Sequence, residues 1–188
     1  MSYLTVGYNV LEGIISIIAG LIAGSIALLG FGLDSVIESL SGGVMVWRFS
    51  QSEKRSQEEE EKIEKRATRL VAYTFFILGA YVLYESIKKL VVSEIPEPSL
   101  LGIIIAIASL VFMPILFYMK LKTAKALNST SFIADAKETL ACAFLSVAVL
   151  LGLGLNYIAG IWQADPIAGL VIVAFLVKEG HEILTEKE

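Results

Sequence analysis

The sequence predicts an all-α fold, a six-helix transmembrane bundle, and three observations carry that prediction. The 188 residues are 56% hydrophobic, above the roughly 45–50% apolar content of soluble domains, and the mean hydropathy is +0.73. Six stretches approach the roughly 20 apolar residues that a bilayer crossing needs. Glycine, proline or clustered charge separates each stretch from the next, as helix ends require.

The first two helices are expected over about Leu4–Ala23 and Ser25–Phe49, joined at Ala23-Gly24-Ser25 in a tight hairpin. The first has no basic region ahead of its apolar run, so it reads as a retained helix and not as a cleaved signal. The third is expected over Leu70–Leu90. The segment Glu58–Arg69 combines helix formers with mixed charge and should extend that helix beyond the bilayer. Pro96 and Pro98 punctuate a short loop before the fourth helix, Leu100–Met119, which Pro114 should kink. The fifth runs from Phe132 to Ala159. The sixth starts at Pro166, with Asp165 as its cap, and fades near Glu182. Residues 1–182 thus form one transmembrane unit with a charged loop at about 50–68, and residues 183–188 form a polar tail with no soluble domain after it.

Orientation follows the basic residues of short loops. Lys54, Arg55, Lys62, Lys65 and Arg66 lie between helices two and three, and Lys120, Lys122 and Lys125 between four and five. The loops around Glu94–Glu97 and Ile161–Asp165 carry none, although Lys88 and Lys89 run against the trend. Both termini are therefore expected in the cytoplasm, in a multi-pass protein of the cell or inner membrane if the source is prokaryotic.

Composition excludes several function classes. The net charge of -4 reflects solvated segments, with seven of the fifteen Lys and Arg between Arg48 and Arg69 beside the acidic run Glu58–Glu61. No basic patch with interleaved aromatics suggests nucleic acid. One cysteine and one histidine, His181, rule out an internal disulfide and a multi-imidazole site within the chain. No Ser/His/Asp set, HExxH or phosphate loop is present, so an enzyme is not expected.

The chemistry lies in two helices. Between Ser25 and Trp47 the only charges are Asp34 and Glu38, four residues apart and so on one helix face. Acids inside a membrane are costly and point to function. Glu138 and Cys142 repeat the spacing on helix five. Together they offer a metal ion three carboxyl groups and one sulfur. Like charges so placed hold protons until a cation displaces them, which is the core of proton-coupled exchange. Glu38 and Cys142 both fall about 15 Å from the membrane surface at about 1.5 Å per residue, the depth at which transporters bind substrate.

Other polar residues leave two roles open. Asn9 and Glu12 share a face of helix one and serve either ion or proton transit or a buried hydrogen-bonded carboxyl. Asp135 is either a helix-start acid or a residue at the cation's way in. Cys142 taken alone fits packing as well as ligation. Lys137, next to Glu138, points elsewhere on the helix and is a poor partner for the acids. Gly13, Ala19, Gly20, Ser39, Ser41, Gly42, Gly43, Gly152 and Gly154 are small residues that let helices approach.

On these residues the chain resembles the transmembrane domain of the cation diffusion facilitator family. The markers are Gly24-Ser25-Ile26-Ala27-Leu28-Leu29 ahead of Asp34-Ser35-Val36-Ile37-Glu38, then Ala134-Asp135-Ala136-Lys137-Glu138 through Cys142. Ala164-Asp165-Pro166 and the closing Lys178-Glu179-Gly180 also fit. The resemblance implies export of divalent metals in exchange for protons, through D-x-x-x-D on helix two and H-x-x-x-D or D-x-x-x-D on helix five. Asp34 matches the first acid. Glu38 is one methylene longer than the usual Asp, Glu138 replaces His or Asp, and Cys142 replaces Asp. Carboxylates favour Mn²⁺ or Fe²⁺ and the thiolate favours Zn²⁺ or Cd²⁺, with Co²⁺ between them, so the family's metal preference does not carry over. The family's His-rich loop and soluble metal-binding domain have no counterpart in these residues. The expectation is a membrane-domain-only homodimer held by membrane contacts, with lipid, divalent ions and protons as partners and no prosthetic group. Two other readings compete with it: a proton-coupled exporter of organic cations, indifferent to Cys142, and a membrane subunit that senses metal or assists assembly without flux.

Overall fold

The hydrophobic pattern resolves into six helices and, among the described residues, no strand. The computed structural model describes residues 2–51, 57–126 and 130–185. Its helices are α1 (Ser2–Ala23), α2 (Ile26–Gln51), α3 (Gln57–Val92), α4 (Leu100–Ala126), α5 (Thr130–Ala159) and α6 (Ala164–Thr185). Lys54, Arg55 and residues 186–188 of the expected tail lie outside the described residues. The rest of that tail, Ile183–Thr185, continues α6.

Among the described residues, five helical stretches are long and apolar enough to cross a membrane: Thr5–Ala23, Ile26–Gly43, Arg69–Val92, Leu100–Ala126 and Asp135–Ala159. Helix α6 is the exception. Its 22 residues would reach about 33 Å at about 1.5 Å per residue. Asp165 at one end and Lys178, Glu179 and Glu182 at the other leave only Pro166–Val177 free of charge. The helix depends on its neighbours, packing mainly on α3 and also on α5 and α2.

Helix α2 is central, packed against α1, α3, α5 and α6, while α4 pairs with α5 and touches α1. The expected hairpin is present. Gly24 has φ of +61°, a left-handed conformation that glycine adopts without Cβ strain. Close approach of α1 and α2 rests on Gly32, where an added Cβ would fall 2.8 Å from the backbone nitrogen of Ile17. Of the glycines expected to serve packing, Gly13, Gly20 and Gly152 do, since an added Cβ at each would meet a neighbouring atom at 2.9 Å, whereas at Gly43 and Gly154 it would meet nothing within 4 Å.

Asp165 corrects its expected role. Its carboxyl accepts a short hydrogen bond from Ser25 Oγ and a 3.0 Å bond from the Ile26 amide. It therefore caps α2 from a neighbouring helix instead of capping its own, while Ser25 Oγ accepts from the Leu28 amide at 3.1 Å. Nearby, Lys89 donates to the Gly24 carbonyl at 2.9 Å and pairs with Glu94 at 3.2 Å. Lys88 pairs with Glu85 at 3.1 Å. The two lysines that ran against the charge trend thus have local partners.

The fourth helix is longer than expected. It stays helical through Pro114 and on to Ala126, so Lys120, Lys122 and Lys125 belong to α4 and not to a loop. Helix α3 begins at Gln57, so the charged segment Glu58–Arg69 is helical as expected.

Burial is inverted relative to a soluble bundle. Large apolar side chains such as Ile22, Leu70, Ile77, Ile104 and Ile158 face outward, whereas Asn9, Glu12, Asp34, Glu38, Ser109, Lys120, Asp135, Thr139 and Ser146 are buried. These polar groups sit within an apolar core that includes Phe31, Met113 and Ile172, and an apolar exterior with its polar groups turned inward is the arrangement a bilayer solvent favours.

Candidate functional site

The four-residue spacing on α2 and α5 brings its side chains to a common space. Asp34 and Glu38 are 7% and 5% exposed, and Cys142 is 1% exposed. All three, with Glu138, line one small cavity. Phe75 of α3, Ala141 and Leu145 of α5, and Phe175, Leu176 and Glu179 of α6 complete the wall. Ser41 Oγ reaches from α2 toward Glu138 at 3.4 Å. Among the described residues, no basic side chain lines this cavity. Its acidic and thiol groups surround a space and do not form a closed shell: among the described residues, no three His, Cys, Asp or Glu side chains stand close enough together to hold one ion.

Glu38 stands between this cavity and a second one. The second is lined by Thr5, Val6, Asn9, Glu38, Gly42, Lys120 and Asp135. The buried Lys120 ammonium lies 3.0 Å from Asp135 Oδ2 and 3.8 Å from Glu38 Oε1. It also donates to Thr139 Oγ1 at 2.7 Å, and the Thr139 hydroxyl donates to Glu38 Oε1 at 2.8 Å. Thr139 thus relays between the lysine and one oxygen of Glu38. Among the described residues, the other oxygen, Glu38 Oε2, is buried without a hydrogen-bond partner, as are Asp135 Oδ1 and Asn9 Oδ1. Buried acceptors left bare are costly and mark places where a donor or cation fits.

These positions sort the residues expected from sequence. Asp34, Glu38, Glu138 and Cys142 come together. Asn9 and Asp135 also meet, in the second cavity. Glu12 lines neither cavity. It accepts from Tyr8 Oη at 3.0 Å and from Ser35 Oγ at 3.0 Å, which makes it a satisfied buried carboxyl. Lys137 is exposed, and the acids find their lysine on α4 instead.

Sequence reasoning missed Lys120, Thr139 and Glu179 as site residues. The signal for Lys120 was the stripe Gly102, Ala106, Ser109, Met113, Leu116, Lys120 and Ala124, which forms the buried face of α4. Glu179 lies three residues beyond Leu176 and seven beyond Ile172 on α6, both buried, and therefore on the inward face.

Comparison with known proteins places this chain in a family. The profile described as the cation efflux transmembrane domain matches residues 2–187. An uncharacterized transporter of Methanocaldococcus jannaschii is 27% identical over 179 residues, covering 93% of this chain and 63% of that protein. The magnetosome protein MamB of Magnetospira sp. strain QH-2 is 24% identical, covering 96% and 61%. Transmembrane protein 163 of Xenopus laevis is 21% identical, covering 99% and 66%. The chain thus spans somewhat under two thirds of the length of these relatives. It belongs to the cation efflux, or cation diffusion facilitator, family of multi-pass membrane proteins.

Proposed function

We propose that this chain is the membrane part of a divalent-cation efflux transporter, with its ion site in the cavity between α2 and α5. Asp34, Glu38, Glu138 and Cys142 are the ligands, and Glu179 is a further acidic wall. One observation carries this reading: acidic and thiol side chains from α2, α5 and α6 line a single cavity on whose wall, among the described residues, no basic side chain stands. Such a surplus of acid in a poorly solvated space needs protons or a cation to offset it. Exchange of the two is antiport, since arrival of the dication releases the protons that held its place. Because the ligands do not converge on one point, loading draws the α2 and α5 side chains inward.

The mixed donor set favours Zn²⁺ or Cd²⁺ through Cys142 over the purely oxygen-seeking Mn²⁺. The termini are cytoplasmic, which puts Lys122 and Lys125 at the basic inner ends of the helices. The functional unit is a homodimer.

Titration calorimetry on the full chain in detergent tests the site, with Zn²⁺, Cd²⁺, Co²⁺, Fe²⁺ and Mn²⁺ compared. Wild type is expected to bind, and Asp34→Ala to lose at least about tenfold in affinity, equivalent to about 1.4 kcal/mol. Equal binding by the two proteins would remove the site. Metal-driven proton movement in liposomes tests the exchange, and a protein that binds metal without flux would be a sensor and not a transporter.

A further inference from the structure

We propose that Lys120 is a tethered cation that competes with the transported dication for Glu38, and so sets how tightly the ion is held. The inference rests on the metal-efflux reading above and deepens it. Three observations support it.

First, the lysine is built into the bundle interior. Lys120 is 7% exposed and lies on the buried face of α4. A buried ammonium is costly unless it is paired and hydrogen-bonded, and this one has both kinds of partner. Second, its contacts are divided unequally. Asp135 Oδ2 is at 3.0 Å and Glu38 Oε1 at 3.8 Å, with Thr139 Oγ1 relaying between Lys120 and Glu38. Asp135 is thus the firm anchor and Glu38 the looser partner. Third, Glu38 lines both cavities, with Oε1 engaged toward Lys120 and Oε2 bare. One carboxyl group therefore faces a fixed monovalent cation on one side and the space for a mobile dication on the other.

The consequence is electrostatic. Two cations drawing on one carboxylate repel each other, and the repulsion is felt strongly where water is scarce. When the dication takes Glu38, Lys120 settles on Asp135 alone. Binding is thereby weakened, which suits a carrier that must release its ion as well as capture it. Thr139 and Asp135 act through Lys120 and are positioning residues.

The test is dication affinity by calorimetry on the full chain in detergent, with Zn²⁺ and Mn²⁺ as probes. Lys120→Gln is expected to tighten binding by at least about tenfold, because it removes the competing charge. Lys120→Arg keeps that charge and should stay close to wild type. Asp135→Asn takes away the anchor, returns the lysine to Glu38 and should weaken binding severalfold. Thr139→Val cuts the relay and should tighten binding modestly. Loss of a merely structural ion pair would shift Lys120→Gln and Asp135→Asn in the same direction, so opposite signs support the proposal and equal signs overturn it. If Lys120→Gln does not fold, the pair Lys120→Gln/Asp135→Asn removes both charges together. It must then bind more tightly than Asp135→Asn alone, and equal binding overturns the proposal. Failure of the wild type to bind any dication would remove the efflux reading itself. Binding by wild type that Lys120→Gln leaves unchanged would remove only the role of Lys120.

Discussion

Asp165→Ala should destabilise the bundle through a helix it does not belong to. The side chain is fully buried at 0% exposure. It accepts from Ser25 Oγ and, at 3.0 Å, from the Ile26 amide, which is an unsatisfied donor at the start of α2. A hydrogen bond to a carboxyl group contributes about 1.5–3 kcal/mol, and leaving a buried donor bare costs about 1–3 kcal/mol. Measured side-chain bonds within membranes average only about 0.6 kcal/mol, which sets the floor. Ser25 keeps its bond from the Leu28 amide, so the serine is only partly stranded. Together these place the loss at about 2–4 kcal/mol. Asp165→Asn retains one acceptor oxygen and should lose about half as much. Reversible unfolding in mixed detergent micelles, followed by circular dichroism, measures both variants. A double-mutant cycle with Ser25→Ala isolates the coupling between the two side chains. Wild-type stability in Asp165→Ala, or equal losses in the Ala and Asn variants, would refute the assignment of Asp165 as the cap of α2.

Two further outcomes follow from the packing. Gly32→Ala should cost about 1–3 kcal/mol by forcing α1 away from α2, since its Cβ would stand 2.8 Å from Ile17 N. Gly43→Ala, with nothing within 4 Å, should be neutral or stabilising by up to about 1 kcal/mol, and the same unfolding assay compares the two. Glu12→Gln should leave dication affinity within about twofold and cost about 1 kcal/mol of stability, because Glu12 is held by Tyr8 and Ser35 away from both cavities. Calorimetry beside the unfolding assay separates the two effects.

Much of the fold was legible because lipid is a demanding solvent. Runs such as Leu100–Met119 have few other stable forms, and the Ala23-Gly24-Ser25 junction admits little besides a hairpin. The spacing of Asp34 with Glu38 and of Glu138 with Cys142 was equally readable, because residues four apart share a helix face whatever surrounds them. Contacts between helices were harder to see. Asp165 looks like the cap of α6 on local grammar, and only the docking of α6 on α2 reveals its bond to Ile26. Lys120 looks like a loop cation until α4 proves long enough to carry it inside. Its neighbours in sequence, Met119 and Leu121, give no hint of Asp135 or Glu38. Glu179 was hidden in the same way, since its adjacency to Lys178 suggests a surface pair, whereas Lys178 bonds Glu182 at 3.3 Å.

The two cavities share Glu38, yet their chemistry differs, and the chain's one cysteine can report which of them takes the dication. The second cavity already contains a lysine among hard oxygen acceptors, and a further doubly charged ion there would meet direct repulsion. The first has no basic side chain among the described residues and includes the polarisable sulfur of Cys142. Because Cys142 is the sole thiol, a membrane-permeant methanethiosulfonate reagent labels one position only. An ion in the first cavity covers that sulfur or draws it into coordination, and ligation removes its nucleophilicity toward the reagent. Saturating Zn²⁺ should therefore slow labelling of native Cys142 by at least about tenfold, the response expected of a thiol nearly always occupied at 100 times Kd. Asp34→Ala should abolish that protection at the same Zn²⁺ concentration, and K⁺ should give none in either protein. Unchanged labelling while calorimetry still records Zn²⁺ binding would move the ion out of the cavity between α2 and α5, however well the ligand spacing fits.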